Sequence, residues 1–165
     1  MKYYIIILLL LALLSCSSAK EHTNYKYGKK PQILQQPTLL RTDGIYVNTY
    51  KGTNESYRFL RFFNNGRCFA SKWFDGEMII DTFQTLNKSA GERTFYRNNG
   101  NEIIYENWDG YNARYGYNFC LVDSLSLKKY GVKSRGWSSF EKYPESMDMR
   151  LSFIPIAFKE KKADW

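Results

Sequence analysis

From residue 43 onward, the chain consists of short runs in which apolar and polar residues alternate, separated by clusters of Gly, Asn, Asp and Ser. Alternation with a period of two is typical of β-strands that bury one face, and the intervening residues favour tight turns. The predicted strands lie at residues 45–50, 57–63, 67–73, 93–97, 102–106, 113–122, from 125 onward, and 150–158. Seven or eight short strands joined by turns predict an all-β fold, a small antiparallel up-and-down barrel or half-barrel.

The turn at residues 64–66 leaves two registers open for the first hairpin. A two-residue turn would pair Phe62 with Phe69, whereas a three-residue loop with Gly66 in the left-handed region would pair Phe62 with Cys68. We favour the three-residue loop, because it places large side chains opposite small ones on one face.

The Asn-Gly pair at residues 99–100 predicts a second hairpin with a type I′ turn. In that register Arg97 lies opposite Glu102, and opposite charges across a strand pair favour the pairing. The side of this hairpin that is predicted to face the core carries Tyr96, Ile103 and Tyr105.

Residues 77–87 break the alternation. Ile79, Phe83 and Leu86 recur there at helical spacing, and residues 89–91 provide a stop. The sequence therefore predicts one short helix between the two hairpins.

The N-terminus carries an unbroken apolar run from Tyr3 to Leu14, preceded by Lys2 and followed by Ser15 and Cys16. A helix of this length would extend about 18 Å at 1.5 Å per residue, too short for a hydrocarbon core of roughly 30 Å. The run is therefore typical of a signal-peptide core. A basic residue, an apolar core, a small residue and then a cysteine together resemble the lipobox of bacterial lipoprotein signal peptides.

This resemblance implies that the leader is cut before Cys16 and that acyl chains are attached to that residue. Two or more chains would anchor the protein stably, since each buried CH₂ contributes ~0.8 kcal/mol. By resemblance to lipoprotein sorting, Ser17 in place of an acid favours the outer membrane within the cell envelope. A plain secretory signal cleaved at a small residue such as Ser15 or Ser18 is the alternative that the sequence leaves open.

The expected organisation is a signal peptide at residues 1–15, a flexible tether at 16–40, a β domain at 41–158 and a charged tail at 159–165. The tether is polar, basic and without hydrophobic periodicity. The whole chain has a net charge of +8, but its basic residues are scattered, which disfavours nucleic acid as a partner. In a cell envelope, anionic lipid or acidic glycan is the more available partner.

Four stretches of the β domain carry short motifs, which are Gly-Ile-Tyr at 44–46, Phe-Leu-Arg-Phe-Phe-Asn-Asn-Gly at 59–66, Gly-Asn-Glu-Ile-Ile-Tyr at 100–105 and Phe-Ile-Pro-Ile at 153–156. Together they resemble the small lipocalin-like lipoproteins of Bacteroidetes-type bacteria. The likeness covers about residues 43–158 and implies a calycin-type barrel. It implies no ligand, because the matching residues form turns and core, and the chain departs from the pattern at residues 129–149.

Catalysis is not expected. The single histidine, His22, lies in the tether, so the folded part has no Ser-His or Cys-His nucleophile pair. Asp75, Glu77, Asp109 and Asp123 occur in predicted turns, where solvated carboxylates are usual rather than the facing pair that glycoside hydrolysis needs. The sequence shows no phosphate loop and no metal-ligand spacing, so neither a cofactor nor a metal is expected.

Cys68 and Cys120 are the two cysteines of the folded part. Export permits a disulfide between them, and the alternative is that both are buried as small apolar residues. The sequence does not decide between these, because a bridge depends on the Cα separation.

Binding of a small molecule or a glycan is the function predicted first, since an eight-strand barrel can hold one small ligand in its mouth. Tyr and Trp rings can stack on sugars or pack against apolar molecules. The candidate rings lie near residues 108–115 and in the irregular stretch at 133–149, and they are Trp108, Tyr111, Tyr115, Trp137, Phe140 and Tyr143. For each ring, filling of the core is the competing interpretation.

The alternative function is that of a structural or assembly lipoprotein that binds another envelope protein. In the favoured register, Phe59, Phe63, Phe69 and Trp73 share the face opposite Phe62, which gives the first hairpin a second apolar face. An exposed face of this kind would fit a protein partner, although the predicted helix would equally cover it.

Overall fold

The computed structural model describes residues 27, 32, 38–51, 55–76, 91–109, 114–134, 139–145 and 149–158, with backbone alone at 50, 51, 108, 109, 114 and 115. The described strands are β1 Gly44–Lys51, β2 Glu55–Phe62, β3 Arg67–Ser71, β4 Phe74–Asp75, β5 Gly91–Asn99, β6 Glu102–Asp109, β7 Arg114–Val122, β8 Ser126–Ser134, β9 Glu141–Lys142 and β10 Arg150–Pro155. The helix predicted at 77–87 lies outside the described residues.

Eight of these strands close into an antiparallel barrel. The order around the barrel is β1, β10, β8, β7, β6, β5, β3 and β2, and the pairing of β2 with β1 completes the ring. The short strand β4 pairs with β2 beyond the end of β3, and β9 pairs with β8 beyond the end of β10. The predicted all-β fold is confirmed, and the closed ring decides for a barrel over a half-barrel.

The favoured register of the first hairpin is confirmed. Phe62 pairs with Cys68, and the three-residue loop contains Gly66 at a φ of 78°. A Cβ atom at Gly66 would also come within 2.5 Å of the backbone oxygen of Gln32. Glycine is therefore needed here both for the left-handed backbone and for the close approach of another segment.

The predicted register of the second hairpin is wrong by two residues. Glu102 pairs with Asn99, and Arg97 pairs with Ile104. Gly100, at a φ of 69°, is the first rather than the second central residue of the turn. Exposed charge pairs contribute little, so they did not determine the register. A shift by two keeps each side chain on its face, and the side chains predicted to face the core are indeed buried, namely Tyr96, Ile103 and Tyr105.

Aromatic rings fill the barrel interior at the end where the turns 64–66, 100–101 and 123–125 lie, which we call the hairpin end. The ring of Phe62 meets those of Tyr46 and Tyr96 edge-on, with centroids 5.7 and 5.0 Å apart. The Tyr96 hydroxyl donates a hydrogen bond to the Phe63 carbonyl at 2.8 Å. Other side chains packed into this core are Leu40, Leu60, Cys68, Ile103, Cys120, Val122, Leu127 and Leu151.

The second apolar face of the first hairpin lies on the outer wall and is buried. Phe59, Phe63 and Phe69 are almost fully inaccessible there, and Phe158 from the end of the described chain packs on the same cluster. Trp73 is not part of this cluster: it follows the end of β3, is nearly half exposed and has its ring near the Arg58 guanidinium. The face that the sequence offered to a protein partner is therefore covered within the protein itself.

Described parts of the predicted tether contact the barrel wall. The Tyr27 backbone N–H donates to the Glu106 carboxylate at 2.9 Å, and the Arg97 guanidinium lies 4.7 Å from the centre of the Tyr27 ring. Gln32 exchanges two hydrogen bonds with the backbone of Asn98, at 3.2 and 3.3 Å. Contacts with the barrel thus begin well before the predicted start of the β domain.

Candidate functional site

The barrel interior becomes polar towards the opposite end, which we call the loop end because the connections at 52–54, 76–90, 110–113 and 135–149 join the strands there. Of the inward polar side chains near this end, we call four the polar layer; they are Arg58, Asn107, Asn118 and Lys129. The contrast with the ring-filled hairpin end makes this layer the candidate site.

Strand alternation explains why Arg58 points inward. Its neighbours Tyr57 and Phe59 belong to the buried cluster on the outer wall, whereas Leu60 belongs to the interior core. Because side chains alternate along a strand, Arg58 shares the inner face with Leu60. The Arg58 guanidinium lies 4.9 Å from the centre of the Trp73 ring.

Lys129 is placed by the pairing of β8 with β7. It lies opposite Cys120 in the core and two residues after the buried Leu127. Beyond this pair the register shifts, since Phe119 lies opposite Gly131 and Tyr130 is the extra residue of a β-bulge. The side chain of Lys129 therefore enters the interior just where the strand becomes irregular.

Burial, together with the positive charge of nearby Arg58, lowers the pKa of Lys129 to about 8. The Cys120 thiol acts in the opposite direction. Within the described part of the chain, neither Lys129 nor Arg58 forms an ion pair with a carboxylate. The layer therefore holds two cations close together in partly buried surroundings, where charges are costly.

Asn118 adds an unsatisfied acceptor to the layer. Its Nδ2 donates to Oδ1 of Asn107 at 2.7 Å, and the residue is 1% exposed. Its own Oδ1 has no hydrogen-bond partner. Because buried polar groups are nearly always paired, this oxygen is an acceptor that a water molecule or a ligand donor would satisfy.

Two tyrosines complete the surroundings of the layer. The Lys129 ammonium lies 5.3 Å from the centre of the Tyr143 ring, and burial raises the pKa of Tyr143. Tyr105 is buried directly opposite Asn118, and burial raises its pKa well above the usual value. Both hydroxyls therefore stay protonated at neutral pH and can donate hydrogen bonds.

Among the six rings predicted to bind a ligand, Tyr143 is the one whose described side chain adjoins the polar layer. Phe140 lies on the outer wall instead, 42% exposed and with its ring 5.0 Å from that of Phe119. The bulge causes this placement, because it turns Gly131 outward and Phe140 packs directly over the missing side chain.

The other four predicted rings are described in backbone alone or not at all. Trp108 pairs with Tyr115 at the loop end of β6 and β7. Tyr111 and Trp137 lie outside the described residues, as does Cys16. Their proposed contacts with a ligand stay predictions.

The sequence reasoning missed Arg58 and Lys129, although alternation carried a usable signal. Arg58 precedes Leu60 by two residues, and Lys129 follows Leu127 by two. A charged residue at a core-facing position in the middle of a strand is rare unless it is paired or functional.

Cys68 and Cys120 are both free and buried, so the structure does not form the disulfide that export permits. They lie on β3 and β7, which are separated in the barrel by β5 and β6. Burial raises the pKa of Cys68 well above its usual value and that of Cys120 to about 12. Both thiols are thus small apolar parts of the core rather than nucleophiles.

A cleft of about 540 Å³ lies at the hairpin end beside Arg61 and Phe158. The Arg61 guanidinium stacks on the Phe158 ring, 3.4 Å from its centre, and the Arg41–Asp43 ion pair borders the cleft. The Arg41–Asp43 pair supplies a carboxylate counter-ion at this cleft, whereas the cations of the polar layer contact aromatic rings and, within the described chain, no carboxylate.

Comparison with known proteins gives no indication of function, so the functional argument rests on the chemistry of the site. A scan against protein-family models, a search of curated proteins and a search of solved structures each found no match. Among the described residues, no group of three or more His, Cys, Asp or Glu is placed to hold a metal ion. The described part of the chain also contains no helix of the length and apolarity that a membrane span requires.

Proposed function

We propose that this protein is a lipid-anchored protein of the bacterial cell envelope whose barrel binds a small molecule or short glycan through the loop end. The observation that carries the binding role is the polar layer. Within the described chain, it combines two partly buried cations that lack a carboxylate partner with a buried amide oxygen that lacks a donor. Such groups destabilise a fold, and a ligand that binds the folded state offsets this cost.

The shape of the barrel supports the same role. The hairpin end is filled by interlocking rings, so a ligand enters from the loop end and rests on the inner core. A barrel of eight strands encloses enough space for side chains or for one small ligand. Arg58, Lys129 and Asn118 would then contact the ligand, with Tyr143 beside it.

The anchoring part of the proposal rests on the leader and Cys16. Replacement Cys16→Ser should abolish incorporation of labelled fatty acid and release the protein from the membrane fraction. Cys120→Ala is the matched control, because that thiol is buried and should not affect acylation. Fatty-acid labelling that persists in Cys16→Ser would contradict the lipid anchor, and an inner-membrane fraction would contradict the outer-membrane location.

Native mass spectrometry of the protein purified from its own cells tests the binding role. We expect a non-covalent mass on the wild-type chain that is lost in Asn118→Leu, which removes the buried acceptor and fills its space. Asn99→Leu is the control, because Asn99 lies exposed at the second turn. A wild-type mass equal to that of the protein alone, with no thermal stabilisation by any fraction of the cell extract, would argue against binding.

We do not propose the assembly role as a second function. It required an exposed apolar sheet face, and Phe59, Phe63 and Phe69 are buried on the outer wall. Catalysis is not proposed either: among the described residues of the layer no hydrogen bond joins a nucleophile to a base, and burial keeps the Cys120 thiol opposite Lys129 protonated.

A further inference from the structure

We infer that the ligand carries an anionic oxo-acid group, a carboxylate or a phosphate, which binds between Arg58 and Lys129 with a neighbouring donor group hydrogen-bonded to Oδ1 of Asn118. This inference rests on the proposed function and adds the chemical class of the ligand. It is carried by the inward positions of the two cations, the absence of a carboxylate partner for either of them among the described residues, and the buried free acceptor of Asn118, which shares the inner face of β7 with Cys120 opposite Lys129.

Arg58 and Lys129 carry like charges inside the same barrel. The charge of Arg58 acts on Lys129, on Tyr105 and on Tyr143. Like charges repel more strongly in partly buried surroundings than in water, because the effective dielectric constant is lower. An anion between them turns repulsion into two charge-assisted hydrogen bonds.

Two carboxylates of the protein itself also occupy inward positions. Glu92 lies opposite Ala70, and Asp75 lies opposite Ser56. Asp75 is exposed, and the charge of Glu92 acts on Cys68 near the middle of the barrel. No carboxylate contributes to the lowered basicity of Lys129 or counteracts it. Within the described chain, the counter-ion of the two cations is therefore not supplied by these acids.

The groups of the layer differ in hydrogen-bonding character. The protonated hydroxyl of Tyr143 and the cations are donors, so they suit the oxygens of an acid group. Oδ1 of Asn118 is an acceptor, so it suits a hydroxyl or an N–H of the ligand. A molecule that carries an acid group and a nearby hydroxyl or amide would satisfy the whole layer.

The experiment compares three probes that share a naphthalene ring, namely naphthoate, naphthyl phosphate and naphthalenemethanol. Binding to the full chain in phosphatidylcholine nanodiscs is followed by fluorescence at pH 7. We expect at least one anionic probe to bind about tenfold or more tightly than the neutral alcohol, since a hydrogen bond to a charged group is worth about that factor. The better of the two anions distinguishes a carboxylate ligand from a phosphate ligand.

Variants of the two cations test whether the preference for anionic probes arises in the polar layer. Lys129→Met should reduce the affinity for the anions about tenfold and leave the alcohol unchanged, while Lys129→Arg should retain the preference. Lys128→Met is the matched control, because Lys128 precedes Lys129 in β8 and points to the outer wall. Arg58→Gln should act as Lys129→Met does.

The outcomes separate the two proposals. Equal binding of anionic and neutral probes, or an anion preference that survives Lys129→Met and Arg58→Gln, would overturn the anionic ligand and leave the binding role intact. Absence of binding by all three probes, together with a bare mass from cells, would overturn both. Loss of anion binding in Lys128→Met would place the anion on the outer wall and likewise refute the inference.

Discussion

Replacement Lys129→Met should stabilise the ligand-free protein, because it removes a partly buried positive charge and keeps a side chain of similar length. The pKa of Lys129 is about 8 against a usual value of 10.5, and one unit corresponds to about 1.4 kcal/mol. The difference gives an upper bound of about 3 kcal/mol at pH 7. Partial exposure of Lys129 reduces this, so we expect a gain of about 1–2 kcal/mol.

The pH dependence provides a more specific signature. In the unfolded chain Lys129 keeps its proton up to about pH 10.5, whereas in the folded chain it loses the proton near pH 8. Between these values the unfolded state binds more protons, so the contribution of Lys129 to stability rises with pH. Titratable groups that face Lys129 are Arg58, Tyr105, Cys120 and Tyr143.

The buried thiols oppose this trend at higher pH. Cys68 and Cys120 ionise in the unfolded chain near 9.0 but stay protonated in the fold, so together they lower stability by about 0.7 kcal/mol between pH 8 and 9. Lys129 raises stability by about 1 kcal/mol over the same interval, so the stability of the wild type should stay nearly level. Lys129→Met keeps only the contribution of the thiols, so its stability should fall, and the difference between the two proteins isolates Lys129.

Urea unfolding followed by tryptophan fluorescence measures both effects. With a slope of about 1–3 kcal/mol per molar for a small domain, the expected gain at pH 7 raises the midpoint by roughly 1 M. Lys128→Met serves as the control and should change stability by less than about 0.5 kcal/mol. A lower midpoint for Lys129→Met at pH 7, or the same change in stability between pH 8 and 9 in both proteins, would refute the buried charge.

Three further outcomes are expected. Affinity for an anionic probe should fall as the pH rises through about 8, because Lys129 must be charged to bind it; a flat titration of affinity from pH 7 to 9 would count against its role. Gly66→Ala should cost about 2–4 kcal/mol in urea unfolding, from backbone strain plus a clash, whereas Gly100→Ala should cost about 1–2 kcal/mol, because its site is open; equal losses would contradict the close approach at Gly66. The thiols of Cys68 and Cys120 should react with a disulfide reagent only after denaturation, and rapid labelling of the native protein would disprove their burial.

The fold was largely predictable because alternation and turn residues act locally. The side of the second hairpin that faces the core was correct even though its register was wrong, since a shift by two residues preserves the face of Tyr96 and Ile103. The choice between the two registers depended on the turn itself, where Gly100 rather than Asn99 begins the central pair. Sequence pattern alone does not contain that information.

The site was less predictable for a physical reason. Aromatic residues in irregular segments were expected to bind the ligand, but Phe140 packs on the outer wall because a bulge turns Gly131 outward. Charged residues within strands are usually solvated, so Lys129 and Arg58 were not among the predicted site residues. Their proposed role in binding an anion depends on closure of the barrel, which brings β2 and β8 to the same interior.

If the protein is held at Cys16, as we propose, the contact of Tyr27 with the wall of β5 and β6 has a mechanical consequence. A free chain from residue 16 to residue 40 could extend about 80 Å, but one fastened at Tyr27 extends at most about 40 Å, at roughly 3.3–3.6 Å per residue. Force along the tether would reach the hydrogen bond from Tyr27 to Glu106 before it reached β1. The contact therefore shortens the tether and attaches it to the side of the barrel, so a pulling force would first break this side contact and would not act directly on the first strand.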